Sequence, residues 1–152
     1  MNTSFELFGA ECDSGWYQLI LPIIEYINEY NANIDKQRSK DNTESISPKI
    51  VFTQIKEKWG KLDISLNFGT AELWDMIEKA EEDSYNVCEI CGSRDDVGCK
   101  ESEWIKTICH KCAKERAPLL WRSNNTEKLY HIDANGKETE ITEDENAREK
   151  II

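Results

Sequence analysis

Positive charge is scarce in this chain: 19 lysines and arginines face 30 aspartates and glutamates, a net charge of −11 over 152 residues. Nucleic-acid binding is driven by cations that displace counterions from phosphates, so this balance excludes general coating of DNA while leaving room for a local basic patch. No uninterrupted apolar run reaches membrane-spanning length, which excludes a transmembrane helix. The opening, MNTSFELFGAECDSGW, has neither a basic segment nor an apolar stretch, and no secretory signal is expected. Enzyme motifs are missing too. GxSxG, HExxH, Walker A and GxGxxG do not occur, and His110 and His131 are the only imidazoles available as bases. Cys12 remains as a candidate nucleophile if a helix start lowers its thiol pKa. The competing reading is a small buried cysteine. A binding protein is expected rather than an enzyme.

Cysteine, by contrast, is plentiful and patterned. Besides Cys12 and Cys99, the chain has Cys88-Glu-Ile-Cys91 and Cys109-His-Lys-Cys112, separated by 17 residues. C-x2-C-x17-C-x2-C matches a tetrathiolate zinc site. Zinc is borderline-soft and accepts four thiolates in a closed tetrahedral shell, so one structural ion held by Cys88, Cys91, Cys109 and Cys112 is expected. Gly92 permits a tight knuckle after Cys91. The second pair opens a predicted helix, CHKCAKERAPLL, whose positive end favours thiolates. A knuckle, a hairpin whose apolar face comes from Trp104 and Ile105, and ligands on a helix start together form a treble-clef-like module. Cys99 or His110 in place of one cysteine is the internal competitor. Without a signal peptide, paired cysteines point to metal in a reducing cytoplasm rather than to disulfides.

Around this module the fold expected is α+β. Trp16, Leu19, Ile20, Ile23, Ile27 and Tyr30 recur at helical spacing over 11–30, with Asp13 or Ser14 as the cap. Pro22 either kinks that helix or sits in the first turn of one starting near Leu21. The polar stretch 31–48 reads as a mobile surface insertion. Val51, Ile55 and Trp59 fall four apart, with Gly60 as a helix stop. Leu62, Ile64, Leu66 and Phe68 alternate as a half-buried strand. Thr70 caps a further helix that buries Leu73, Ile77, Ala80 and Ser84. Asn135-Gly136 predicts a hairpin, and the acidic end is expected to fray. The domains expected are 1–87, the zinc module 88–118, and a hairpin with an acidic tail over 119–152.

Charge is unevenly spread. Residues 71–90 carry seven acids against Lys79, a balance of −6. Glu72, Asp75, Glu78 and Glu82 share one helix face, where a row of carboxylates imitates phosphates. Residues 106–128 hold a balance of +4. There Lys111, Lys114, Arg116 and Arg122 make a candidate nucleic-acid contact beside the zinc helix. Each surface also has a plainer reading. The acids form a solvated outer face, and the cations offset the charge of a zinc tetrathiolate.

Four stretches, ECDSGW, QIKEKWGKLDISL, AEEDSYNVCEICG and WIKTICHKCAKE, taken together resemble a family of small proteins encoded by phages and prophages, over about residues 11–116. The family pattern has a basic-aromatic strand after the Lys-aromatic-Gly turn, where this chain has Asp63-Ile64-Ser65. The resemblance implies a mobile-element origin and zinc. The function expected is a non-enzymatic phage accessory protein in the cytoplasm of a bacterial host. It would inhibit a host protein or ribonucleoprotein of a defence system, such as a CRISPR effector or nuclease, through the acidic face. Two other expectations are a treble-clef nucleic-acid-binding module, and a sponge for a nucleotide signal with Trp or Tyr stacking and lysines on the phosphates.

Overall fold

The computed structural model describes residues 3–41 and 48–142. The Thr3 hydroxyl accepts from the Glu6 N–H at 3.1 Å and caps α1 (Ser4–Phe8), which leads into the two-residue strand β1 (Ala10–Glu11). A 3-10 turn (Ser14–Trp16) then opens α2 (Tyr17–Asp41). Asp13 stands at the cap position of that turn without making a capping bond; its carboxylate pairs with Lys106 at 2.8 Å instead. Pro22 lies inside α2, where its missing N–H leaves the Gln18 carbonyl without its helical donor. Trp16, Leu19, Ile20, Ile23 and Ile27 are buried as their spacing predicts.

Two expectations fail in this half. The first is the start of the insertion expected over 31–48, because residues 31–41 are the last turns of α2. Ile34 extends the buried stripe, and the Asn31 side chain accepts from the Ile50 N–H at 2.8 Å and donates to the Ile50 carbonyl at 2.9 Å. A polar sequence forms helix here because only a narrow stripe meets the core. Residues 42–47 lie outside the described residues.

The second failure is the helix expected over 51–59, which is the strand β2 (Phe52–Lys58). A register shift between Phe52 and Gln54 brings Phe52 and Ile55 to the same buried side and hides the period of two. Val51 and Trp59 are exposed. Trp59-Gly60, with φ of 54° and 82°, makes a two-residue turn into the antiparallel strand β3 (Lys61–Leu66). β1 adds to the other edge of β2 in parallel, giving the order β1-β2-β3.

α3 (Ala71–Asp83) starts where the Thr70 hydroxyl accepts from the Leu73 N–H at 3.1 Å, and it buries Leu73, Ile77 and Ala80. Ser84 follows it, fully buried, and its hydroxyl accepts from the Leu62 N–H at 3.0 Å. α2, α3, β2 and β3 close one hydrophobic cluster.

The second cluster surrounds the cysteines. β4 (Val97–Lys100), β5 (Lys106–Cys109), β6 (Leu119–Ser123), β7 (Leu129–Ile132) and β8 (Glu138–Ile141) form an antiparallel sheet in the order β5-β4-β6-β7-β8. The short helix α4 (His110–Glu115) follows β5 directly. The apolar face of the β4–β5 hairpin comes from Val97 and Ile108, not from Trp104 and Ile105, which are exposed in the connecting loop. β7 and β8 pair as the expected hairpin. The Asp133 carboxylate accepts from the N–H groups of Asn135 and Lys137, both at 2.9 Å. The acidic end from 143 onward lies outside the described residues. No helix among the described residues is long and apolar enough to cross a membrane.

Candidate metal centre

Each CxxC pair is shaped by the same local bond. In the first, the Cys91 N–H donates to Cys88 Sγ at 3.5 Å; in the second, the Cys112 N–H donates to Cys109 Sγ at 3.5 Å. The first knuckle closes through Gly92 N–H to the Cys88 carbonyl at 2.9 Å, with Gly92 in the left-handed region at φ 79°. The second is the N-cap of α4, so Cys109 and Cys112 are presented from a helix start.

These two knuckles bring the sulfurs of Cys88, Cys91, Cys109 and Cys112 within 4.8 Å of one another. Zinc–sulfur bonds of about 2.3 Å in a tetrahedron put sulfurs about 3.8 Å apart. The Cys91–Cys109 separation is 3.7 Å. The donor set and spacing are consistent with a single structural zinc site. Burial first, then the neighbouring sulfurs, push the Cys112 thiol far up, and burial likewise raises Cys109. Burial works against ionisation at Cys88 too, but N–H groups of Cys91, Cys109 and Ile90 outweigh it and bring that thiol down. Four ionised sulfurs at this spacing require a cation among them.

The two competing ligands are engaged elsewhere. His110 stacks on Trp121 with ring centroids 5.0 Å apart, and its Nε2 meets the Glu138 carboxylate. Cys99 lies on β4 with its Sγ against the Lys100 carbonyl at 3.5 Å, and burial pushes its thiol up. Cys12 is a half-buried thiol raised to about 12 by burial, then by Glu89 and Asp13. The lowered pKa that would have made it a nucleophile is therefore corrected.

The N-terminal segment clamps onto the first knuckle. Gly15 donates its N–H to the Glu89 carbonyl at 2.8 Å, and a Cβ at this position would stand 2.2 Å from the Cys88 carbonyl oxygen. The Trp16 indole donates to the Val87 carbonyl at 2.8 Å, and the Gln18 amide donates to the Gly92 carbonyl at 3.0 Å. Glu89, counted in the sequence among surface acids, is only 1% exposed. One of its oxygens accepts from the Asp13 N–H at 2.9 Å; the other faces Lys106 Nζ at 3.2 Å, close enough for charge pairing but outside hydrogen-bonding geometry. Burial pulls Lys106 down, yet its bond to Asp13 and the Glu89 carboxylate more than offset this, so Lys106 ends above its ordinary value. Burial raises Glu89. This seam was invisible in the sequence because its partners lie more than 70 positions apart. The nearest signal was the compact DSGW run, whose glycine fits a close backbone approach.

The two charged surfaces differ in how they are used. Glu72, Asp75, Glu78 and Glu82 are all exposed on α3, and none is in an ion pair among the described residues. Lys111 and Lys114 are exposed on α4 and line a shallow cleft beside Cys91; Arg116 is exposed just after the helix. Lys114 approaches Glu138 at 3.4 Å. Arg122, on β6, donates to Glu101 and to the Glu127 carbonyl, both at 2.8 Å. It is thus tied into its own sheet edge and does not line the cleft.

No family model, curated protein or solved structure matches the chain.

Proposed function

We propose that the chain is a non-enzymatic binding protein, stabilised by one structural zinc ion in a treble-clef-like module, that docks onto a partner macromolecule through the outer face of α3. The observation that carries this reading is the contrast in pairing. All four α3 carboxylates are exposed without ion-pair partners among the described residues, while of the basic set beside the cysteines Lys114 and Arg122 each face a carboxylate of the chain itself and only Lys111 and Arg116 do not. A row of uncompensated carboxylates one helical turn apart is complementary to a basic, phosphate-binding surface. The resemblance to phage-encoded proteins directs the proposal to a defence nuclease or CRISPR effector in the bacterial host cytoplasm, inhibited by occlusion of its nucleic-acid path.

The test is a fourfold charge reversal, Glu72→Lys, Asp75→Lys, Glu78→Lys and Glu82→Lys. Affinity capture from host lysate is then compared with the unaltered chain by mass spectrometry. A nucleic-acid-binding protein is expected with the unaltered chain and absent with the variant, whose circular dichroism stays native. The same partner captured equally by both overturns the role of α3.

A further inference from the structure

Two of the five tryptophans are exposed where nothing in the fold requires an indole. Trp59 is 79% exposed in the β2–β3 turn, and Trp104 is 69% exposed in the β4–β5 loop. Both loops carry backbone strain: Trp59 has φ 54°, and Glu103, just before Trp104, has φ 56°. The left-handed region is unfavourable for a bulky residue, and a two-residue turn of this kind prefers Asn before Gly. The chain therefore holds a tryptophan where asparagine folds more easily, and strain of this kind collects at binding sites.

The two loops are also locked together. One Glu57 oxygen accepts from the Gly60 N–H at 2.9 Å, and the other accepts from the Trp104 indole N–H at 3.0 Å. The Thr107 hydroxyl donates to the Gly60 carbonyl at 2.6 Å. Between the loops lies a groove of about 600 Å³, lined by both indoles, Ile105, Lys56 and Lys58, with Glu57 and Glu103 also on its wall. That is the size range of a small-molecule site. Lys56 and Lys58 are in no ion pair among the described residues, although Asp63 and Glu11 stand beside Lys56 on the two neighbouring strands. Glu57 already has both oxygens engaged, and Glu103 is exposed.

We propose that this groove binds a nucleotide, with Trp59 and Trp104 stacking on the base and Lys56 and Lys58 holding the phosphate. Indole faces accept any base, and ammonium groups pair with phosphate as point charges. The unpaired lysines favour this ligand over a cationic one. The site uses none of the α3 residues, so it stands or falls separately from the docking face. The shared chemistry, base plus phosphate, can come from a free nucleotide or from single-stranded nucleic acid.

The experiment is calorimetric titration of the zinc-loaded full chain with mononucleotides, cyclic dinucleotides, a short single-stranded DNA, the matching nucleosides and inorganic phosphate. Saturable binding of a phosphate-bearing base is expected, at least roughly 10-fold tighter than its nucleoside. Saturation by a mononucleotide or dinucleotide assigns a free ligand, and saturation by the oligonucleotide alone assigns single-stranded nucleic acid. Trp104→Ala is expected to weaken binding roughly 10-fold, the scale of one lost stacking contact. Trp59→Asn is the decisive variant. It should lose binding by a similar factor while its thermal stability is unchanged or higher, because Asn suits the turn. No saturable binding by any member of the panel overturns the site. So does a Trp59→Asn chain that binds normally or fails to fold.

Discussion

The two halves of this molecule are held together by different means. The helix-and-sheet half closes on side chains alone, with Trp16, Ile23, Ile55, Leu62 and Leu73 at its centre. The other half places three of its four clustered cysteines, Cys88, Cys109 and Cys112, among Val97, Ile108, Leu119, Trp121 and Ile132. The first half is stabilised by burying apolar surface, which is available to any folded chain in water. The second has polarizable, ionisable sulfur where a larger domain would have a hydrophobic centre, so a metal on the cysteines would contribute directly to its folding. The difference teaches where the molecule is vulnerable. Loss of a metal would act on one half directly and reach the other through the seam of Gly15, Trp16, Glu89 and Lys106 and through the Glu57–Trp104 and Gly60–Thr107 bonds between the loops.

Trp16 is the residue that most directly breaks the contrast, because it is fully buried in the first core while its indole bonds the chain just before the knuckle. Trp16→Ala should cost about 3–5 kcal/mol by thermal or denaturant unfolding, and should also weaken zinc affinity. A cost below about 1 kcal/mol, well under the range for a buried tryptophan, would mean that the seam does not couple the halves. A smaller effect sharpens the contrast instead. Ile34→Ala, in the last turns of α2, should cost about 2 kcal/mol, the low end for a buried isoleucine, with zinc affinity unchanged. No change in stability would mean that Ile34 adds nothing to the core.

What could be read from the sequence was whatever is local. The cluster of four cysteines is legible because a knuckle is specified by two cysteines and the residues between them. α3 is legible because Thr70 caps it and Leu73, Ile77 and Ala80 mark one face. The last hairpin is legible from Asn135-Gly136. The failures have physical causes of two kinds. In β2 a bulge destroys the alternation, and in α2 beyond Tyr30 a single buried isoleucine is too weak a periodic signal. Glu89, Trp59 and Trp104 depend on long-range placement. Glu89 meets its partners across the chain, and Trp104 is held by Glu57, 47 positions earlier. Their burial or exposure follows from tertiary contacts that composition does not encode.

The central claim is that one zinc ion on Cys88, Cys91, Cys109 and Cys112 orders the second half while the first half stands on its own core. Hydrogen exchange of the zinc-loaded and chelator-treated chain, each with its metal content determined, tests this most directly. One zinc per loaded chain is expected. On chelation the amides of β4, β5 and α4 should lose protection, while those of α2, α3, β2 and β3 keep theirs. Burial raises the Cys109 and Cys112 thiols, so protons leave on binding and the apparent zinc affinity of the chain should rise with pH. A chain that carries no metal, or one whose β4, β5 and α4 amides stay equally protected after chelation, contradicts the account.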